Sequence, residues 1–142
     1  MRRSVQRQPA IDREALDQRA YFDWLAIFHP VAWEHTFHPP NGGHRNPVVA
    51  AKLKAQGVKA GVFDIVMELA RGAYHGLRIE LKATPPYNAA VSPTQRAWGA
   101  RLNGAGYCAL VCLGVDAARA ATEAYLRLGP YDGKSIHPTI SK

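Results

Sequence analysis

The protein has 142 residues, of which 47% are hydrophobic and 20% charged, the size and composition of one globular domain. No run approaches the roughly 18 consecutive apolar residues of a membrane span, and no apolar segment follows the basic N-terminus, so neither a membrane protein nor a secretory signal is predicted. The net charge of +7 favours polyanionic partners such as nucleic acids. Cys108 and Cys112 lie in an apolar run and indicate small core residues of a cytosolic protein.

Composition divides the chain into three parts. A basic arm, expected to be flexible, covers residues 1–11, and a single domain covers residues 12–130. Residues 131–142 form a tail that is expected to be loop or partly disordered. No internal repeat and no shift in composition indicates a second domain.

The first predicted element is a helix over residues 13–28. Asp12 has the side chain of a helix N-cap, and Pro30 is expected to end the helix. Helical spacing predicts a stripe of core-facing residues, Leu16, Ala20, Trp24 and Phe28. A neighbouring stripe contains Glu14, Gln18, Tyr21 and Leu25.

A segment rich in His, Pro, Gly and Asn follows the first helix. Residues 33–37 predict a short strand within it, and the remainder predicts a loop. Asn46 before Pro47 is typical of a helix start, so a short helix is predicted over residues 47–56. Lysines make its surroundings basic: Lys52, Lys54 and Lys59.

Residues 61–82 predict two short antiparallel strands with alternating faces. On the first strand the apolar face is Phe63, Ile65, Met67 and Leu69, and the opposite face is Asp64, Val66 and Glu68. On the second strand the apolar face is Leu77, Ile79 and Leu81, and the opposite face holds Glu80 and Lys82. A hairpin centred near Gly72 would place Asp64 beside Glu80. Because two carboxylates this close repel each other unless a cation lies between them, the pattern predicts a divalent-metal site.

The second half of the domain alternates helices and strands. Residues 92–95 (SPTQ) have the form of a capping box with proline at the first helical position, and predict a helix to about Asn103. The apolar run 107–113 predicts a strand buried on both faces, and Asp116 is expected to cap a last helix through Leu128. This order of elements fits an α/β fold with a mixed central sheet flanked by helices.

The triplet Glu80-Leu81-Lys82 is also compatible with an ordinary ion pair between Glu80 and Lys82 on an exposed strand. The strongly apolar flanks place the strand in the core sheet instead, and Gln95 opens the next helix. Mg²⁺ takes hard oxygen ligands, which Asp64, Glu80 and the backbone carbonyl of Leu81 would supply while leaving positions for water and a phosphate oxygen. Lys82 would then orient the nucleophile or stabilise the transition state.

An ordered series of motifs extends beyond this hairpin. They are NGGHR (41–45), KLKAQGVKAGVFD (52–64), YHGLRIELK (74–82), SPTQ (92–95) and GY (106–107), with Glu14 and Gln18 on the first helix. In these motifs the chain, from about Glu14 to Leu126, resembles the virus-type replication-repair nuclease (VRR-NUC) domain, a branch of the PD-(D/E)XK nuclease superfamily. The resemblance implies a restriction-endonuclease-like fold and a metal-dependent nuclease acting on DNA, often at branched or flap structures. The family's small phage-type members look like stand-alone, homodimeric Holliday-junction resolvases.

Carried onto this sequence, the resemblance implies that Asp64 and Glu80 are the principal metal ligands and Lys82 is the catalytic lysine. Gln95 would be the family's glutamine next to the site. Glu14 would be its N-terminal acidic residue.

Two points of the transfer are open. The helical register leaves Asp12 and Gln18 as alternatives to Glu14. The family pattern also has a proline before the aspartate, where this chain has Phe63. Because that proline is structural, activity is expected to survive its replacement.

Four histidines lie close together in the sequence: His29, His35, His38 and His44. No cysteine accompanies them and their spacing matches no standard zinc pattern, so a DNA-contacting or exposed loop is favoured over a zinc site. The residues expected along the DNA phosphate track are Asn41, His44, Arg45, Lys52 and Lys59.

The first functional hypothesis is a Mg²⁺- or Mn²⁺-dependent endonuclease that hydrolyses phosphodiester bonds in DNA, with selectivity for Holliday junctions or flaps. The resemblance implies a cytoplasmic DNA-repair enzyme of phage or prophage type in a bacterial host. It also implies a homodimer, because two symmetric nicks need two sites. The alternative is a non-catalytic DNA-binding module that retains the nuclease fold. The last helix carries an apolar stripe that would form either a dimer interface or, as we favour, packing against the protein's own sheet: Ala117, Ala121, Ala124 and Tyr125.

Overall fold

The computed structural model describes residues 11–40 and 45–140. In chain order its elements are α1 (Arg13–Phe28), α2 (Pro30–Glu34), β1 (Thr36–Phe37), α3 (Pro47–Ala55), β2 (Ile65–Met67), β3 (Leu77–Lys82), α4 (Pro93–Gly104), β4 (Cys108–Leu113) and α5 (Val115–Arg127). Apart from Ile11, the predicted basic arm lies outside the described residues. Within the described ranges, each helix is too short or too polar to span a bilayer.

The four strands form one mixed sheet in the order β1-β2-β3-β4. β2 and β3 are antiparallel, with Ile65 opposite Ile79 and Met67 opposite Leu77. This is the register predicted from a hairpin centred at Gly72, although the connection is longer than a tight turn and covers residues 68–76. β3 pairs with β4 in parallel, and α4 forms the crossover between them. The predicted mixed sheet flanked by helices is confirmed.

The main core lies between one face of the sheet and the helices α1 and α5. It includes the predicted inward residues of β3, Leu77, Ile79 and Leu81, and the free cysteines Cys108 and Cys112. The last helix packs on this core through Tyr125, which is fully buried. The helix therefore packs on the protein's own sheet, as the sequence favoured, but its buried residues are Ala118, Thr122 and Tyr125, whereas Ala117 of the predicted stripe is exposed.

The predicted core stripe of α1 is wrong at both ends, although Trp24 packs partly buried against the core. Leu16 and Phe28 are 60% and 66% exposed, whereas Tyr21 and Leu25 are fully buried. The hydroxyl of Tyr21 is 2.7 Å from that of Thr122 on α5, so the neighbouring stripe forms the contact between the helices. Apolar residues occur on several sides of α1, and periodicity alone could not select the side that α5 covers.

The segment after α1 also differs from its prediction. Pro30 does not simply end a helix, because it is the first residue of α2, a position where its missing N–H costs no hydrogen bond. The strand predicted over residues 33–37 is reduced to Thr36–Phe37. β1 nevertheless pairs with β2, since Thr36 lies opposite Met67 and Phe37 opposite Val66.

Two predictions for the second half need correction. β4 is an edge strand, and Val111 and Leu113 are exposed on the face that the sequence predicted to be buried. α4 covers only the start of this face, where the side chain of Asn103 exchanges hydrogen bonds with the backbone of Ala109. Asp116 lies in the first turn of α5 and is not its cap, which is Gly114.

Phe63 does not share the apolar face of Ile65 and Met67. The chain bends at Asp64 and β2 begins only at Ile65, so the alternation of a strand does not reach back to Phe63. The ring of Phe63 is buried against Gly99 of α4, where an added Cβ would lie 2.8 Å from its Cζ. Phe63 therefore joins the segment before β2 to α4.

The described part of the tail, residues 131–140, has no helix or strand but packs against the hairpin connection. The carbonyl of Gly72 accepts hydrogen bonds from the N–H groups of Asp132 and Gly133 at 2.9 and 3.1 Å. His137 is buried, and its N–H donates to the hydroxyl of Tyr74 at 3.0 Å. The tail thus closes the turn of the hairpin.

Candidate active site

Asp64 and Glu80 lie at the end of the hairpin opposite its turn. The strand ladder ends with Ile65 opposite Ile79, one residue after Asp64. Asp64 and Glu80 are nevertheless neighbours, as predicted, because they line the same cavity and their charges interact. Asp64 lies one residue before β2, and its Oδ2 accepts a hydrogen bond from the N–H of Leu81 at 2.8 Å. This bond fixes the carboxylate against the end of β3.

Glu80 and Lys82 point away from the main core, toward α4. They are only 3% and 5% exposed, and their side chains form an ion pair with 3.3 Å between Lys82 Nζ and Glu80 Oε1. Burying two charges is costly, so a buried ion pair is weak evidence for stability, and in a cavity it marks a candidate functional site. The exposed-strand interpretation of this triplet is therefore excluded.

Gln95 links these two residues to the start of α4. Its Oε1 accepts hydrogen bonds from Lys82 Nζ at 3.1 Å and from the N–H of Ser92 at 2.9 Å, and its Nε2 donates to Glu80 Oε1. The predicted capping box is present, so the local sequence that starts the helix also orients Gln95.

One oxygen of the site has no partner. Glu80 Oε1 is shared between Gln95 and Lys82, whereas Oε2 is buried without a hydrogen bond to any described residue. Burial and the neighbouring carboxylate of Asp64 raise the pKa of Glu80 to about 7, and Lys82 counteracts them only in part. Burial likewise raises the pKa of Asp64. A buried and a half-buried carboxylate with raised pKa values, together with an unpartnered oxygen, are typical of a functional site.

The carbonyl of Leu81 belongs to the same edge. In a strand the N–H and C=O of one residue point to the same side, and those of the next residue point to the other. The N–H of Leu81 is bonded to Asp64, while the carbonyl of Lys82 accepts from Gly114 on the β4 side at 2.7 Å. The Leu81 carbonyl is therefore directed toward Asp64.

Two adjoining cavities meet at Asp64. The smaller, of about 220 Å³, holds the residues of the polar cluster: Glu14, His38, Pro39, Gly61, Val62, Asp64, Glu80, Lys82 and Gln95. The larger, of about 590 Å³, extends along α1 and is lined by Asp12, Gln18, Arg19 and Phe22 among others. Glu14, His38 and Asp64 line both cavities.

Glu14 is the N-terminal acidic residue nearest the carboxylate pair. Its charge contributes to the raised pKa of Glu80, and it is the one of the three α1 candidates that lines the smaller cavity. Asp12 and Gln18 line only the larger cavity, and Asp12 also caps α1 by accepting from the N–H of Ala15 at 3.0 Å. Of the three candidates for the family's N-terminal acidic residue, the geometry therefore favours Glu14.

The residues expected to contact DNA are spread over the segment between β1 and β2. Asn41 and His44 lie outside the described residues. Arg45 donates to the carbonyl of Pro40, and Lys52 is exposed on α3. Lys59 is exposed two residues before Gly61, which lines the smaller cavity.

Gly61 is a site residue whose role the sequence did not reveal. Its φ is +82°, and an added Cβ would lie 2.6 Å from the backbone of Thr94. Only glycine permits this close approach between the α3–β2 connection and the start of α4. A lone glycine after a basic helix was the available signal.

His38 was also missed as a site residue. The sequence placed it in a histidine-rich loop, whereas β1 delivers it to Asp64, whose backbone carbonyl lies 2.6 Å from His38 Nδ1. The other described histidines of the cluster point elsewhere: His29 pairs with Glu123 at 3.1 Å and His35 bonds to the carbonyl of Val31 at 2.8 Å. Among the described residues no three His, Cys, Asp or Glu side chains are grouped to hold a metal ion.

The chain is similar to a solved structure described as a "VRR_NUC domain protein". The two share 34% sequence identity and a TM-score of 0.77, over 87% of this chain and 96% of the other. Neither a protein-family model nor a curated protein matches the chain. Identity at this level over nearly the whole length, on the same fold, confirms the resemblance seen in the motifs. This chain therefore belongs to the VRR-NUC family of PD-(D/E)XK-type nuclease domains.

Proposed function

We propose that the protein is a divalent-metal-dependent endonuclease that hydrolyses phosphodiester bonds in DNA. The observation that carries the proposal is the buried, unpartnered Oε2 of Glu80 beside Asp64. A carboxylate oxygen in that position is suited to a cation, because the neighbouring donors Gln95 Nε2 and Lys82 Nζ are already paired with Oε1.

The donor set fits Mg²⁺ or Mn²⁺. Asp64, Glu80 Oε2 and the Leu81 carbonyl are hard oxygen donors at one edge of the sheet, and such ions keep several water ligands of their own. A cation bound there would supply charge neutralisation and activation of water. The described residues that line the smaller cavity include one His and no Cys, a donor set that favours neither zinc nor a redox metal.

The remaining residues would act around the scissile phosphate. Lys82, fixed by Glu80 and Gln95, would present its ammonium group to the charge that develops on the phosphoryl oxygens in the transition state. Gln95 would hold Glu80 and Lys82 in register without contacting the substrate. Glu14 would add negative charge at the entrance and so strengthen cation binding.

Arg45, Lys52 and Lys59 support DNA as the substrate. All three belong to the segment that leads into Asp64, and the chain carries a net charge of +7. Contacts between such side chains and phosphates position DNA without reading its sequence. We therefore propose selectivity for DNA structure, such as four-way junctions or flaps, and a homodimer that would supply the second site for paired nicks. The free thiols Cys108 and Cys112 fit a cytoplasmic setting.

Phe63 does not support the alternative of a non-catalytic DNA-binding module. Its ring has a packing role against Gly99, so the departure from the family's proline is explained by structure rather than by lost chemistry.

The proposal is tested with duplex, flap and four-way junction DNA in Mg²⁺, in Mn²⁺ and in chelator. The wild type should cut at least one substrate with either metal and none with chelator. Asp64→Ala should abolish cleavage yet still bind DNA, and Asp64→Asn, which keeps an oxygen for the N–H of Leu81, controls for folding. Cleavage by Asp64→Ala at the wild-type rate would contradict the proposal. Metal-independent binding without cleavage by the wild type would support the DNA-binding module.

A further inference from the structure

We propose that His38 is a positioning residue of the nuclease reaction, which fixes the main chain of Asp64 through Nδ1 and orients the attacking water through Nε2. This inference rests on the proposed function and adds a residue to its site. It starts from the position of Asp64, which lies one residue outside β2 and so beyond the hydrogen bonds of the strand ladder.

Two hydrogen bonds hold Asp64 in position where the hydrogen bonds between the strands have ended. The N–H of Leu81 on β3 holds its carboxylate at 2.8 Å, and Nδ1 of His38 holds its backbone carbonyl at 2.6 Å. The ladder between β1 and β2 delivers His38, because Phe37 is opposite Val66 and the next residue of β1 reaches past the start of β2. Asp64 is thereby fixed from both neighbouring strands.

The bond to Asp64 determines the tautomer of His38. A backbone carbonyl only accepts hydrogen bonds, so Nδ1 must carry the proton. The neutral ring then has its lone pair on Nε2, which makes no hydrogen bond to a described residue. The ring lines both cavities that meet at Asp64.

A neutral hydrogen-bond acceptor such as Nε2 of His38 differs from the other polar groups of the site. Lys82 and the amide of Gln95 are donors already committed to Glu80, and the carboxylates of Asp64 and Glu80 are the proposed cation ligands. Nε2 of His38 is the neutral acceptor that remains among the described polar side chains of the smaller cavity. A water bonded to it would be held beside Asp64 with its lone pairs free to attack phosphorus.

Substitutions separate the two ring nitrogens. His38→Asn retains a donor near the position of Nδ1 but has no group at Nε2, whereas His38→Gln places an amide near Nε2 and loses the donor to Asp64. His35→Asn is the matched control, because His35 also bonds through Nδ1 to a backbone carbonyl, at 2.8 Å, but is exposed at the end of α2. Melting temperatures and DNA affinities are measured for every variant.

We expect His38→Asn to lower kcat about 100-fold while the KM for DNA and the melting temperature stay near those of the wild type. His38→Gln should lower kcat at least as much and should also weaken Mg²⁺ binding measured by calorimetry, because Asp64 is no longer held. His35→Asn should match the wild type in every measurement. Wild-type kcat in His38→Asn would overturn the role of Nε2, and wild-type Mg²⁺ affinity in His38→Gln would overturn the role of Nδ1.

A spectroscopic measurement decides the tautomer without activity. In ¹⁵N-edited spectra at pH 8, the signals that vanish in His38→Asn should show a protonated Nδ1 and an unprotonated Nε2. The opposite tautomer would overturn the inference. If the wild type cuts no DNA, the proposed function itself is wrong. If the wild type cuts DNA, Asp64→Asn is inactive and His38→Asn cuts at the wild-type rate, then only the role of His38 is wrong.

Discussion

The side-chain oxygen of Gln95 accepts a hydrogen bond from the ammonium group of Lys82, with 3.1 Å between Oε1 and Nζ. A residue that starts a helix thus holds a strand residue of the site. The same amide group donates to Glu80, so the loss of one side chain releases both members of the buried ion pair. Replacing a residue that holds metal-ligand side chains in place, without itself binding the metal, typically lowers activity 10- to 100-fold.

Gln95→Ala should therefore lower DNA cleavage about 10- to 100-fold without loss of DNA binding. Ser92→Ala is the control, since it removes the hydroxyl that caps Gln95 N–H at 3.1 Å but keeps the backbone donor to Gln95 Oε1. Both variants should lose about 1 kcal/mol of stability through the weakened cap. Cleavage rates and chemical denaturation separate the two effects, and equal rates for the two variants would show that Gln95 acts only as a cap.

Glu80 should make the stability of the metal-free protein depend on pH. Burial and Asp64 raise the pKa of Glu80 from 4.5 to about 7, so the folded state binds this proton more tightly than the unfolded state does. The contribution is present below pH 4.5 and is lost as the pH rises through about 7.

Melting temperatures in chelator at pH 5.5 and pH 8 measure this effect. The wild type should fall by about 5 °C more than Glu80→Gln, in which the neutral amide does not titrate. Saturating Mg²⁺ at pH 8 should restore the wild type and leave Glu80→Gln unchanged. Parallel curves for the two proteins in chelator would contradict the raised pKa.

Gly99→Ala should destabilise the protein even though alanine is the better helix former. In an open helical position this change stabilises by up to about 1 kcal/mol, but here the new Cβ would lie 2.8 Å from the buried ring of Phe63. We expect a net loss of about 1–3 kcal/mol. Gly104→Ala, in the same helix with nothing within 4 Å, is the control and should be neutral or stabilising.

A double variant identifies the partner in this contact. Phe63→Leu shortens the side chain, so Phe63→Leu with Gly99→Ala should be more stable than the sum of the two single changes predicts. Additive free energies of unfolding would show that Gly99 is limited by another neighbour.

The basic residues before Asp64 should determine the salt dependence of DNA binding. Replacing Arg45, Lys52 and Lys59 with alanine should weaken binding to all DNA sequences alike and should reduce the slope of log K against log salt by about 0.9 for each phosphate that the variant no longer neutralises. Lys134→Ala, in the tail at the opposite end of the hairpin, is the control for the removal of positive charge elsewhere. Fluorescence anisotropy over a salt series measures both, and an unchanged slope in the triple variant would place the phosphate track elsewhere.

The central hairpin could be predicted from the sequence because its information is local. Side-chain alternation and Gly72 predict the register of β2 against β3, and that register brings Asp64 to the end of β3 that carries Glu80. The capping box likewise predicted both a helix start and the position of Gln95. Family membership was also accessible, since the motifs lie in these same local segments.

The failures concern contacts between distant segments. Which side of α1 is buried depends on Thr122 and Tyr125 of α5, about one hundred residues later, and helical periodicity contains no such information. His38 was assigned to an exposed loop because a strand of two residues leaves almost no pattern. The packing of Phe63 could not be predicted for the same reason, since its ring contacts Gly99 on a later helix.

The hairpin turn depends on a part of the chain that is synthesised much later. Gly72 and Ala73 bond to the backbone of Asp132, Gly133 and Ser135, which leave the ribosome about sixty residues afterwards. A nascent chain that ends before this segment has both site strands and the local bridge between Arg71 and Tyr74, but it lacks the backbone bonds from the tail to Gly72 and Ala73. The turn of the hairpin that bears Asp64 and Glu80 therefore gains its full set of backbone hydrogen bonds only after residues 132–135 have been synthesised.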